Sequence, residues 1–211
     1  MIKIFLLDFT GAEERDFSAP AIPGYPVEGK NETVRRERFF SALLLSHAYK
    51  TLFFKDIGDV ERDAYGRPQL KSGEIDFNIS HSENLSAVII SDEGRVGIDV
   101  EKITDRVSER LIEKTERSSF EVSCGECVMP ILLKAEGGKI ISVPLVLSEQ
   151  KSSFFEKWTL REALSKADGR GLSFINRIKN EEFLLISQIR IYVGEEEYAV
   201  SAVKKRGRRI V

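Results

Sequence analysis

Residues 96–101 read Val96-Gly97-Ile98-Asp99-Val100-Glu101. Side chains of a β-strand alternate between its two faces. Val96, Ile98 and Val100 therefore turn into a core, while Asp99 and Glu101 stand side by side on the opposite face. Neighbouring carboxylates on one face repel unless something positive sits between them. A hard divalent cation such as Mg²⁺ fills that place well, because it prefers oxygen ligands and commonly takes one or two carboxylates together with phosphates. In isolation, the same alternation also describes the solvated polar face of an antiparallel strand.

Outward from this strand, the chain alternates strands with helices. Ile2 to Leu7 reads as a first strand. Residues 10–31 carry Gly11, Pro20, Pro23, Gly24, Pro26 and Gly29 and read as a long surface loop. A helix is expected from Asn31 to Lys50, with Phe39, Leu43, Leu44 and Ala48 as its apolar stripe. Residues 55–74 are polar and turn-rich. Strands are expected over Ile75 to Ile79, Leu85 to Ser91 and Arg95 to Glu101, with turns at Ser82-Glu83-Asn84 and Asp92-Glu93-Gly94. Beyond them come a helix over Val107 to Glu116 and a hairpin over 119–147, with arms Phe120 to Leu133 and Lys139 to Leu147 and a turn at Glu136-Gly137-Gly138. A strong helix over 148–168 is stopped by Gly169 and Gly171, and strands follow over Phe183 to Val193 and Glu196 to Val203. The basic run Lys204-Lys205-Arg206-Gly207-Arg208-Arg209 reads as a solvated end. The pattern is α+β, dividing into halves of 1–103 and 104–211.

The helix over 148–168 contains Trp158-Thr159-Leu160-Arg161-Glu162-Ala163-Leu164-Ser165-Lys166. At helical spacing Leu160, Ala163, Leu164 and Ala167 share one face, and Arg161, Glu162, Ser165 and Lys166 lie on the opposite arc with Trp158. Glu162 is placed to complete a metal site. Lys166, one turn on, is placed to neutralise a phosphate or to protonate a leaving oxygen. Locally, the pair is also an ordinary exposed i,i+4 contact worth about 0.2–0.5 kcal/mol. Asn78-Ile79-Ser80-His81-Ser82 ends a strand in small polar groups that can donate to phosphate oxygens; taken alone, it also reads as a polar turn with a surface histidine. Arg35, Arg36 and Arg38 crowd the first turns of a helix, where the dipole disfavours cations; they read either as the partners of an anion or as a plain solvated face. Arg67 precedes Pro68 in a stiffened turn.

Composition bounds the classes. At 42% hydrophobic and 31% charged, the 211-residue chain can bury a core and is not disordered. A formal net charge of −2 argues against nucleic-acid binding by bulk electrostatics. No apolar run spans a bilayer and no signal-peptide pattern is visible, so a cytoplasmic protein with no membrane partner is expected. Cys124 and Cys127 are too few for a disulfide framework and lack the further ligands of a zinc site, and read as incidental thiols.

The four segments Tyr65-Gly66-Arg67-Pro68, Phe77-Asn78-Ile79-Ser80-His81-Ser82, Val96-Gly97-Ile98-Asp99-Val100-Glu101 and Trp158-x-x-Arg161-Glu162-x-x-x-Lys166 occur in that order. As a set, with Gly169-Arg170-Gly171-Leu172 after them, they closely resemble the surfactin-synthetase-activating (Sfp-like) class of 4′-phosphopantetheinyl transferases, from about residue 35 to 175. The resemblance implies two similar α/β halves related by a pseudo-two-fold, with the active site between them. It implies an enzyme that moves 4′-phosphopantetheine from coenzyme A to a serine of an apo acyl or peptidyl carrier protein and releases 3′,5′-ADP. Asp99, Glu101 and Glu162 would hold Mg²⁺. Glu162 and Lys166 would be catalytic, with Lys166 also on a phosphate. Arg38, Arg67, Ser80 and His81 would meet the 3′-phosphate and adenine end of coenzyme A. A self-contained site makes a monomer the expectation. Two departures stand out. Arg161 replaces the family's usual Lys, keeping the charge but not the ability to give up a proton, and the stretch between Glu101 and Trp158 is longer than usual. They leave an alternative: a non-catalytic binder of coenzyme A or carrier protein on the same fold.

Overall fold

The computed structural model describes residues 1–20, 22–105, 107, 112, 115, 122–149 and 154–207. The first strand, β1 (Ile2–Asp8), is buried on both faces. Phe5, Leu7 and Phe9 pack on the side of helix α1 (Glu32–Phe53), and Ile4 and Leu6 pack on the other side. Asn31 caps α1 by accepting from the Val34 N–H at 2.9 Å. The helix runs three residues past the expected Lys50, because Leu52 and Phe53 still pack against the core, and it ends at Phe54 in the left-handed region (φ 56°).

The turn-rich stretch hides two short strands, β2 (Val60–Arg62) and β3 (Pro68–Leu70), which pair only with each other. Three residues are too few for alternation to register. The expected trio follows as β4 (Asp76–Ser82), β5 (Leu85–Ser91) and β6 (Val96–Lys102). Next come β7 (Ser123–Cys124), β8 (Ile131–Glu136), β9 (Lys139–Ser142), β10 (Val146–Leu147), helix α2 (Phe154–Asp168), β11 (Phe183–Val193) and β12 (Glu196–Lys205).

Two five-stranded sheets result. One has the order β4-β5-β1-β8-β9; the other has β10-β11-β12-β6, with β7 also on β11. Each sheet takes strands from both sides of residue 103. Ile4, Leu6, Leu85, Ala87 and Ile89 of the first pack against Val96, Ile98, Val100, Val200 and Ala202 of the second. Helix α1 covers the outer face of the first sheet. Leu160, Ala163, Leu164 and Ala167 lay α2 on the outer face of the second. This helix–sheet–sheet–helix stack is the mixed α+β architecture the sequence leads one to expect.

Several expectations need correction. The 119–147 stretch is not one long hairpin. Only β8 and β9 form one, turning at Gly137 and Gly138 with φ 55° and 73°. Strands β7 and β10 join the other sheet. Pro130 and Pro144 bracket the hairpin, and proline cannot donate to a ladder. The basic run is not simply solvated: Lys204 Nζ donates to Glu93 at 2.7 Å and Lys205 Nζ to Asp168 at 3.1 Å. The helix expected over Val107 to Glu116 lies almost wholly outside the described residues, as do 150–153 at the start of the 148–168 helix and 208–209 of the basic run. Among the described residues, no helix is long and apolar enough to cross a membrane.

Candidate active site

Strand β6 turns Gly97, Asp99 and Glu101 towards α2. Gly97 carries no side chain where the helix comes closest. A Cβ there would run into the Ala163 carbonyl oxygen and stand 2.6 Å from the Ala167 N. Helix and strand therefore meet almost backbone to backbone. That close approach brings Glu162 and Lys166 of α2 over the carboxylates of β6.

Asp99 is 3% exposed. Its Oδ1 accepts from Lys166 Nζ at 2.6 Å and from the Ser80 hydroxyl at 2.9 Å; Lys166 Nζ also donates to Ser80 Oγ at 2.9 Å. Its Oδ2 is buried with no hydrogen-bond partner, an unusual state for a buried carboxylate oxygen. The Ser82 hydroxyl donates to Glu101 Oε2 at 3.1 Å, and the Trp158 indole reaches the same carboxylate. Burial first, and Asp99 second, raise the Glu101 pKa above the usual carboxylate range. Glu162 is pushed up to about 7 by burial, then by Asp99 and Glu101, against the pull of Lys166 and Arg161. The structure therefore brings together Asp99, Glu101, Glu162, Lys166 and Ser80.

A hard cation fits this set. The donors are all oxygens, one is orphaned, and two carboxyls resist ionisation because negative charge is crowded in a half-buried place. Among the described residues, no three His, Cys, Asp or Glu side chains are already drawn together as a finished metal cage. The Lys166 ammonium lies against Asp99 instead.

A cleft of about 300 Å³ opens beside these groups, between Tyr65, Gly66, Pro68, Glu162, Lys166 and Leu172. A smaller one, about 170 Å³, is lined by Tyr25, Arg38, Ile79 and His81. Pro68 and Asn78 border both. His81 Nδ1 lies 3.5 Å from Glu37 Oε2, and 40% of the His81 side chain is exposed. Burial lowers its pKa most, with Lys166 and Arg38 acting in the same direction and Glu37 opposing. Arg38 donates to the Glu28 carbonyl. Of the three clustered arginines, only Arg38 reaches this site. Arg36 donates to the Phe9 and Ala12 carbonyls at 2.8 and 3.0 Å beneath the loop after β1, and Arg35 pairs with Glu14.

Arg67, expected at a coenzyme A phosphate, lines the larger cleft but has its guanidinium turned into the protein. Its side chain is 6% exposed. It makes a two-pronged pair with Asp76 (2.6 and 2.7 Å) and donates to the carbonyls of Phe77, Val96 and Lys166. Its guanidinium thereby joins β4, β6 and α2. Arg161 and Ser165 differ too: each is 3% exposed, so α2 is packed on more than the one apolar face. Cys124 and Cys127 are exposed free thiols. Cys127 borders a groove of about 410 Å³ near Lys3 and Lys204 whose lining includes none of these carboxylates.

Reading the sequence missed Asp76, took Asn78 and Ser82 only as polar groups near a phosphate, and quoted Gly97 and Trp158 without a role. One signal was available: polar residues at 76, 78, 80 and 82 alternate with Phe77, Ile79 and His81.

Residues 95–207 match the family model of the 4′-phosphopantetheinyl transferase superfamily. The 4′-phosphopantetheinyl transferase AcpT of Escherichia coli (strain K12) is 30% identical over 153 residues, which cover 72% of this chain and 67% of that protein. AcpT of Salmonella typhimurium is 29% identical over 154 residues, covering 72% and 69%. The 4′-phosphopantetheinyl transferase gsp of Aneurinibacillus migulanus is 30% identical over 114 residues, covering 53% and 38%. With α2 laid on β6 so that Glu162 and Lys166 meet Asp99, and with the family match spanning both elements, the chain belongs to the 4′-phosphopantetheinyl transferase superfamily.

Proposed function

We propose that this transferase is of the Sfp-like type and works with Mg²⁺ held by Asp99, Glu101 and Glu162. The enzyme transfers 4′-phosphopantetheine from coenzyme A to a carrier protein. The order of the four sequence segments supports the Sfp-like reading. The observation that carries the metal reading is the unpartnered, buried Asp99 Oδ2 beside two further carboxylates.

In the reaction, the carrier serine oxygen bonds to the β-phosphorus of coenzyme A, and the bond from that phosphorus to the bridging oxygen breaks to release 3′,5′-ADP. As in other phosphoryl transfers, positioning and charge neutralisation do most of the work. When bound, the cation offsets negative charge on the diphosphate. Glu162, which borders the larger cleft from α2, accepts the serine proton. Lys166 leaves Asp99 for the phosphate that carries the developing charge. His81 and Arg38 face the smaller cleft and take the 3′-phosphate. The Ser80 hydroxyl, already given to Asp99, holds that carboxylate rather than the nucleotide. Every named group comes from one chain, which supports a monomer. We read the setting as cytoplasmic, with neither membrane nor nucleic acid as partner. The carrier is acyl or peptidyl.

Asp99→Ala and Glu162→Ala, each checked for folding by circular dichroism, should nearly abolish transfer. Retained turnover in both folded variants would overturn the assignment.

A further inference from the structure

Strand β6 pairs with β12 along one edge only. On its other edge lies β4, the outermost strand of the first sheet, yet no backbone ladder joins the two. Side chains do so instead. Asp76 Oδ2 accepts from the Val96 N–H at 2.8 Å, Asn78 Oδ1 from Ile98 at 3.0 Å, Ser80 Oγ from Val100 at 3.4 Å and Ser82 Oγ from Lys102 at 3.0 Å. Alternate residues on one strand meet alternate residues on the other, always 20 positions apart. This comb satisfies the buried N–H groups of β6 and keeps the sheet edges in register.

The two hydroxyls differ from Asp76 and Asn78 in having a proton to place. A serine oxygen has one donor and two acceptor sites. Ser80 accepts from the Val100 N–H and from Lys166, and its proton goes to Asp99. Ser82 accepts from the Lys102 N–H, and its proton goes to Glu101. Each serine thus grips an amide and the carboxylate just before it in sequence.

We propose that Ser82 is a positioning residue for Glu101, as Ser80 is for Asp99, and that the β4 comb sets both carboxylates for the cation. The proposal rests on the reading of Asp99, Glu101 and Glu162 as the cation site. It gives Ser82 a role through Glu101 rather than as a phosphate contact.

The test is Mn²⁺ binding without coenzyme A, followed by the electron-spin-resonance signal of free Mn²⁺, for wild type, Ser82→Ala and Ser82→Thr. Thermal melting and the KM for coenzyme A at saturating cation are measured alongside. Ser82→Ala should weaken Mn²⁺ binding about tenfold, the scale of one hydrogen bond to a charged group. Ser82→Thr, which keeps the hydroxyl and suits a strand, should return to within about threefold of wild type. The Tm should fall by no more than about 4 °C, from the Lys102 N–H left without its acceptor, and the KM for coenzyme A should hardly move. Unchanged Mn²⁺ affinity in Ser82→Ala, with wild type binding normally, would overturn this proposal alone. Parallel losses in Tm and in both constants, not rescued by Thr, would also overturn it by showing a merely structural role. Failure of wild type to bind Mn²⁺ would overturn the cation site and this proposal with it.

Discussion

At the scale of single residues, the site holds carboxylates against their preference. Glu162 is pushed up to about 7 chiefly by burial and then by its acidic neighbours. In cation-free protein its charge therefore costs stability, while its chemistry needs the carboxylate. Glu162→Gln keeps the shape and removes the charge. Turnover should fall at least about 100-fold, the lower end of what a general base contributes. The Tm without divalent cation should rise by about 2–4 °C, corresponding to about 1 kcal/mol in a chain of this size. Initial rates and a melting curve check both; full activity, or a lower Tm, would contradict the assignment. Lys166 meanwhile occupies Asp99 Oδ1 with its ammonium, so the same side chain that is to meet a phosphate steadies the buried carboxylate before substrate arrives.

At the scale of elements, the contact between α2 and β6 makes the site. Gly97→Ala would force the Ala163 carbonyl away from the strand. Overpacking of this kind costs about 1–3 kcal/mol, and a shift of about 1 Å at a reacting centre costs about 100-fold in rate. The expected result is a lower Tm with kcat reduced about 100-fold, read by calorimetry and initial rates; wild-type kcat would contradict it. Asp168 ties the end of α2 to β12. Burial opposes its charge, but Arg170 (2.7 and 3.2 Å) and Lys205 (3.1 Å) outweigh that and hold its pKa below the ordinary 3.8. A depressed folded-state pKa means stability that is present above 3.8 and lost as the pH falls through the folded value. Asp168→Asn should be less stable than wild type in urea at neutral pH, and the gap should narrow below 3.8; a gap independent of pH would contradict the ion-pair account. Elements such as these were legible because their patterns are local. β6 alternates, and α2 repeats Leu160, Ala163, Leu164 and Ala167 on one face. The strands β2, β3, β7 and β10 were not legible, being two or three residues long and defined by partners far along the chain.

At the scale of the whole molecule, Arg67 is the clasp. One buried guanidinium ties β4 of one sheet to β6 of the other and to the last turn of α2. Beside Pro68 it read as a cation for a coenzyme A phosphate, because nothing in the turn itself reveals that its guanidinium folds back onto Asp76; the carboxylates were placed on polar faces by strand and helix spacing and singled out by the order of the four motifs. Breaking a buried, hydrogen-bonded pair costs about 3–5 kcal/mol, so Arg67→Ala should lower the Tm far more than it raises the KM for coenzyme A. Arg67→Lys should not restore stability, since an ammonium lacks the planar fork. A stable Arg67→Ala variant with only a raised KM would return Arg67 to the nucleotide. The central claim is a cation-dependent transfer to a carrier serine, made at the cleft that Glu162 and Lys166 line beside Asp99 and Glu101. Intact-mass spectrometry of an apo carrier protein, incubated with this protein and coenzyme A in Mg²⁺ or in EDTA, tests it most directly. The account predicts a gain of one 4′-phosphopantetheine in Mg²⁺ and none in EDTA. An equal gain in EDTA, or no gain on any acyl or peptidyl carrier despite measurable coenzyme A binding, would contradict it.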